Sequence, residues 1–134
     1  MKVELKDLTV RELVDGYEDD SESEGGVRGY GGRLDIRPPF QREFIYKGKQ
    51  REAVIKSILR GFPLNVMYWA DRGNDKYEII DGQQRTISIA QFVNSEFSVD
   101  GRYYHNLTLE EKEPVDNYKL MVYVCTGTHR DKLD

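Results

Sequence analysis

The stretch that most constrains this chain is Tyr77–Ile89, YEIIDGQQRTISI. Glu78, Ile79 and Ile80 form a strand-like run that ends on Asp81. Gly82 turns the chain, and Gln83, Gln84, Arg85 and Thr86 open a predicted helix through Val93. A strand end that passes straight into a helix start leaves the first helical N–H groups without intrahelical partners, at the electropositive end of the helix dipole. Such an end seats anions. A guanidinium, two carboxamides and a hydroxyl there make a phosphate-reading corner, with Asp81 beside it to hold a metal or orient water. A plainer reading competes with this one: Asp81 caps the helix, and Gln83–Arg85 form its solvated first turn. Arg85 runs against the dipole at that position and so answers an anion, which favours the ligand site.

With 134 residues and 38% hydrophobic content, the chain is expected to form one domain around one core. Its net charge of -4 argues against a globally basic nucleic-acid binder, while leaving room for a local basic face. The lone Cys125 excludes an intrachain disulfide and a multi-cysteine zinc site. Long apolar runs and signal-peptide patterns are lacking, so a cytoplasmic protein without membrane association is expected.

From the N-terminus, Thr9 and Glu12 form a capping-box pair, followed by Val10, Leu13 and Val14 as an apolar stripe and Gly16 as a stop. The acidic run Glu18–Glu24 and the glycine-rich Gly25–Gly32 have a composition that cannot bury a core. A mobile loop over residues 18–33 is expected, serving as a lid rather than a phosphate loop, since no Lys-Ser/Thr follows. Leu34–Arg37 alternates like a strand. Pro38 and Pro39 then hold the chain extended, so that Phe40, Phe44 and Ile45 either anchor and preorganise Gln41 and Arg42 or merely tether a surface loop.

Lys47–Arg60 is the clearest helix, with Val54, Ile55, Ile58 and Leu59 on one face and Gly61 at its end. Basic residues concentrate between Arg28 and Arg60, suiting a solvated helix face or a nucleotide or DNA backbone. Phe62–Ala70 reads as a buried strand, Asp71–Asp75 as a turn and Lys76–Asp81 as the returning hairpin strand. Phe97–Tyr104 suggests a second hairpin about Asp100-Gly101. A helix over Leu107–Val115 is capped by Thr108 with Glu111, and Lys119–Val124 is a central strand that leaves Cys125 as a small buried hydrophobe. The fold class is therefore mixed α/β (α+β): a small mixed sheet flanked by helices near Val10–Asp15, Lys49–Arg60 and Gln83–Val93, as a single domain over 1–134 with its core at about 34–125.

Three segments in order, PPFQR at Pro38–Arg42, SILRGFPLNVMYW at Ser57–Trp69 and IDGQQRT at Ile80–Thr86, resemble the N-terminal domain of GmrSD-like restriction and phage-defence proteins. That domain is similar to the ParB/sulfiredoxin superfamily, and the resemblance spans about Asp35 to Val124. It implies an α/β domain that binds and hydrolyses a nucleoside triphosphate. DNA is then a further expected partner, met directly or through a C-terminal HNH-type nuclease domain or partner lying outside this chain, and an oligomer is compatible with this. Asp81, Gly82, Gln83, Gln84 and Arg85 match the nucleotide-site motif, and Gln41 and Arg42 match the PxFQR element.

On that resemblance Arg85, Arg42, Gln41, Thr86 and the Gly82–Gln84 amides hold phosphates. Asp81 holds Mg²⁺ through water or orients the attacking water, and Gln83 or Gln84 positions it, so that Asp81, Gln83, Gln84 and Arg85 form the catalytic set. ParB proteins carry a different box where this chain has Asp-Gly-Gln-Gln-Arg, so their CTP preference does not transfer. Cys125 lies far from the motif, against a sulfiredoxin activity, and His105 and His129 lack metal-ligand spacing, against a nuclease within this chain. The expected function is an NTP-hydrolysing regulatory domain of a restriction system. The alternative is a non-catalytic nucleotide-sensing or DNA-binding module that controls a partner nuclease.

Overall fold

A computed structural model describes residues 2–20, 26–37 and 48–127. Strand β1 (Lys2–Thr9) leads into helix α1 (Val10–Val14), then β2 (Glu18–Asp20), β3 (Gly26–Gly29) and β4 (Leu34–Arg37). Helix α2 (Gly48–Leu59) precedes β5 (Met67–Gly73), β6 (Lys76–Asp81) and helix α3 (Gln83–Val93). A short 3-10 turn (Tyr104–Asn106), helix α4 (Leu109–Asp116) and β7 (Lys119–Thr126) complete the order. The strands form one seven-stranded sheet in the order β1-β7-β5-β6-β4-β3-β2. The β5–β7 and β4–β6 pairs are parallel and the rest antiparallel, so the sheet is mixed, as expected.

Burial alternates along the strands and shows that one face carries the core. Leu8, Leu120, Val122, Met67, Trp69, Ile79, Leu34, Ile36 and Val27 are all buried, and α3 adds Ile87, Ile89, Ala90 and Phe92. On the other face Val3, Leu5, Tyr68, Ile80 and Met121 are 38–50% exposed, and the rings of Tyr68 and Tyr123 stack with centroids 5.7 Å apart. No helix among the described residues is long and apolar enough to cross a membrane.

The helices follow their local signals. Both capping boxes close: Thr9 with Glu12 on α1, and Thr108 with Glu111 on α4. Val54, Ile55 and Ile58 of α2 are buried, whereas Leu59 is exposed. The first hairpin forms, but its limits move. Its strand begins at Met67, because Pro63 cannot donate to a ladder and holds Phe62 away from regular pairing, and Phe62 is 56% exposed. The turn narrows to Asn74-Asp75, both in the left-handed region. The second hairpin shrinks to a single Val99–Arg102 bridge around Asp100-Gly101 before the 3-10 turn.

Two expectations fail for one reason. The core does not start at residue 34, since β1 pairs with β7 along its whole length, from Lys2 opposite Thr126 to Thr9 opposite Lys119. Nor do the described residues of that stretch, 18–20 and 26–33, form a loop without a core: β2 and β3 join the sheet, Val27 is fully buried and Tyr30 is 6% exposed. Gly29 permits this, because a Cβ there would lie 2.8 Å from the Leu13 carbonyl oxygen. The Tyr30 and Gly31 N–H groups donate to the Leu13 and Asp15 carbonyls at 2.8 Å. The Tyr30 ring packs 5.3 Å from Trp69, with the Arg33 guanidinium 4.0 Å above it. A hydrogen bond with the Tyr30 side chain also holds the Lys6 ammonium above its ordinary range. Composition reads polarity, and these contacts come from partners distant in sequence.

If Tyr30 is a core residue, Tyr30→Ala should lower unfolding free energy by about 3 kcal/mol in a urea titration; an unchanged midpoint would restore the loop reading. A second prediction concerns acid. Arg102 donates twice to Glu111, at 2.7 and 2.6 Å. Those bonds, followed by the Thr108 backbone N–H, depress the Glu111 carboxyl from 4.5 to about 2. A depressed carboxyl stabilises the fold above its unfolded value and loses that contribution as pH falls through its folded value. The stability gap between wild type and Arg102→Ala should therefore close between pH 4.5 and about 2, and added salt should narrow it at neutral pH.

Candidate functional site

The corner is assembled where β6 ends. Trp69 pairs with Ile79, but Tyr68 pairs with Asp81, so Ile80 and Asp81 together oppose one residue of β5. Such a bulge re-aims the side chains at a strand end. Gly82 follows with φ 109 and ψ 12 and is itself the N-cap of α3, with no side-chain cap bond. Asp81 is thus not the helix cap, which corrects that part of the plainer reading of this junction. Gly82 cannot be replaced cheaply: a Cβ would meet Met67 Cγ at 2.6 Å and Sδ at 2.8 Å. The first intrahelical bond runs from the Thr86 N–H to the Gly82 carbonyl at 3.0 Å. The N–H groups of Gln83, Gln84 and Arg85 precede it and lie at the positive end of α3.

Ile80, Asp81, Gly82, Gln83, Gln84 and Arg85 line an open hollow of about 200 Å³. The Asp81 carboxylate is 64% exposed, whereas the Arg85 side chain is 14% exposed. One Arg85 nitrogen, Nη1, donates to the Asn65 carbonyl, and the other, Nη2, stands 3.4 Å from Asp81 Oδ2. The oxygen atoms that meet Arg85 are thus a neutral backbone carbonyl and, at longer range, the neighbouring Asp81 carboxylate. The 3.4 Å separation is long for a charge-assisted bond, so that nitrogen can exchange Asp81 for another oxygen.

Five predicted site residues, Asp81 to Arg85, come together here. Thr86 does not join them: its side chain is fully buried and its hydroxyl donates to Met67 Sδ at 3.3 Å. One helical step beyond the exposed first turn, this position rotates toward the sheet. Gln41 and Arg42 lie outside the described residues. For a divalent cation, no group of three or more His, Cys, Asp or Glu side chains is gathered among the described residues. Asp81 stands alone beside a guanidinium. One carboxylate is too few for a protein-built cation cage; it would fit only a Mg²⁺ that arrives with phosphates and keeps most of its water.

Sequence reading missed Met67 and Asn65, which pack Gly82 and hold Arg85. Their only signal was the hairpin that returns β6 beside β5. Part of the basic stretch is also answered from within. Arg28 pairs with Asp35 at 2.7 Å, Arg51 lies 3.9 Å over the Phe97 ring, and Lys56 reaches Asp100 at 3.7 Å.

A one-sided mixed sheet whose strand β6 turns through glycine into an uncapped helix defines a mixed α/β domain with a polar corner at one sheet end. The family described as GmrSD restriction endonuclease, N-terminal domain, matches residues 20–128, and the chain belongs to that family. No curated protein and no solved structure matches it.

Gly82→Ala combines a left-handed backbone with overpacking on Met67, and should cost about 2–4 kcal/mol in urea unfolding. A loss below 0.5 kcal/mol, on the order of an ordinary surface change, would mean that the corner is not held by this contact.

Proposed function

We propose that this restriction-system domain binds a nucleoside triphosphate with its phosphates at the Asp81–Arg85 corner and hydrolyses the terminal phosphoanhydride. The observation that carries this reading is the uncapped start of α3 opening into the same hollow as the Arg85 guanidinium, the Asp81 carboxylate and two carboxamides. N–H groups at a helix start and a guanidinium suit phosphate oxygens, and the family of restriction proteins to which the chain belongs supports a defence role. The likeness to the ParB/sulfiredoxin superfamily belongs to the same proposal, as do phosphate contacts from Gln41 and Arg42, which rest on the PxFQR motif alone.

In this mechanism the Gln83, Gln84 and Arg85 amides hold phosphate oxygens. Arg85 stays tied to Asn65 through Nη1 and turns Nη2 from Asp81 to phosphate. The released Asp81 carboxylate and the Gln83 or Gln84 carboxamide orient a water. The water oxygen bonds to the terminal phosphorus as the bridging P–O bond breaks, and its proton passes through Asp81 to the departing phosphate. Bound Mg²⁺ supplies charge neutralisation on the phosphates. A second reading, a nucleotide sensor without hydrolysis, draws on Asp81 being the one carboxylate that lines the hollow among the described residues. In either case the domain would control a nuclease carried elsewhere.

Thermal shift and phosphate release separate these readings. A nucleotide at a hundred times its Kd should stabilise wild type by about 2.7 kcal/mol. Arg85→Ala should lose that shift, while Thr86→Val, which changes only a buried hydroxyl, should keep it. Asp81→Asn should slow phosphate release about 100-fold or more with little change in binding. Tight binding without release, with Mg²⁺ or after chelation, would make the domain a sensor; a full shift in Arg85→Ala would move the site elsewhere.

A further inference from the structure

We infer that β1 pairs edge to edge with β1 of a second copy of this chain, antiparallel about Leu5, and so joins two sheets into one. Among the described residues the sheet ends on β1 at one side and on β2 at the other. An end strand presents a row of unpaired backbone N–H and C=O groups, which proteins guard by shortness, bulges, proline or charge. The two ends are built differently. β2 has three residues, Glu18, Asp19 and Asp20, all acidic, so it repels its own copy. β1 runs for eight residues without proline or glycine, and its pairing with β7 continues from Lys2 to Thr9 without a bulge. On its open face Val3 and Leu5 are 48% and 50% exposed.

Charge selects both the partner and the register. Residues directly opposed in an antiparallel pair share a face, so β1 can meet its own copy only about a residue. Centring on Glu4 sets Glu4 against Glu4 and Lys2 against Lys6, and centring on Lys6 sets Lys6 against itself. Centring on Val3 opposes Lys2 to Glu4 but ends at Leu5, a shorter ladder. Centring on Leu5 sets Glu4 against Lys6 twice, Leu5 against Leu5 and Val3 against Asp7, and runs from Lys2 to Leu8. Glu4 then lies between Lys2 of its own strand, 3.0 Å away, and Lys6 of the second copy. The Lys6 ammonium, 5.7 Å from the centre of the Tyr30 ring, keeps further donors for that carboxylate. On the open face Leu5 opposes Tyr123, which stacks on Tyr68 at 5.7 Å. Joined at Leu5, two exposed apolar rows become one, and such cross-strand pairs stabilise a sheet. β7 and β5 separate β1 from β6, so the Asp81–Arg85 corner stays open in each copy.

Sedimentation velocity over a dilution series of the wild-type chain should show a reversible monomer–dimer equilibrium. Glu4→Lys or Lys6→Glu turns two attractions per dimer into two repulsions, and each should weaken the dimer at least about 10-fold. Mixed in equal amounts, the two variants present opposite charges to each other and should recover the dimer as a heterodimer. The double variant Glu4→Lys/Lys6→Glu should recover it alone. Leu5→Lys, at a half-exposed position, should disrupt it without touching the ion pairs or the core. A wild-type chain that stays monomeric at every concentration, or a dimer that the three single variants leave unchanged, overturns the proposal. A dimer lost in both charge variants and recovered by neither the mixture nor the double variant overturns the register, and the pairing about Leu5 with it.

Discussion

The contact between the Gly82 backbone and the Met67 side chain is what the rest of the corner depends on. A left-handed residue without a Cβ lets β6 turn into α3 while Met67 sits directly beneath. That places the α3 N-terminus at the end of the sheet rather than over it. The same methionine receives the Thr86 hydroxyl, so the first turn of α3 is fixed to β5 from both sides. With the helix start fixed, the rotation of each following side chain is determined. Gln83, Gln84 and Arg85 remain at the rim and Thr86 to Ala90 are buried.

Arg85 is the electrostatic counterpart of that contact. A guanidinium that is mostly withdrawn from water must be answered by oxygen atoms. Here the Asn65 carbonyl and the more distant Asp81 carboxylate do so. One nitrogen is engaged by backbone and the other only loosely by a side chain, so the charge is prepositioned while one partner stays exchangeable. The planar fork of arginine permits this division of donors, which a lysine ammonium at the same place would not reproduce.

The sheet positions these groups through pairings between distant segments. β5 lies between β7, which it meets in parallel, and β6, which it meets in a hairpin. The corner therefore stands at the end of β6, beside the β5 residue that opposes Asp81. β1 closes against β7, and β3 with its Tyr30 turn closes the other side of the core against Trp69 and Tyr77. The helices sit on one face, and the Tyr68–Tyr123 pair marks the face they leave open.

What the sequence determined by itself is local in origin. The two capping boxes, the faces of α2 and α3, the β5–β6 hairpin and the strand–glycine–helix junction all arise from hydrogen bonds and periodicities within a dozen or so residues, so neighbouring letters encode them. The resemblance drawn from PPFQR, SILRGFPLNVMYW and IDGQQRT agrees with the family that matches residues 20–128. Tertiary structure decided what needed a distant partner. Lys2–Thr9 is a strand because β7 completes it, although only Leu8 of its residues is buried. A glycine-rich stretch joins the core because Leu13, Asp15 and Trp69 receive it. Thr86 turned inward and Arg85 met Asn65 because β5 folded back beside β6. Composition cannot report such contacts, since their energy lies in pairs of residues far apart in the chain.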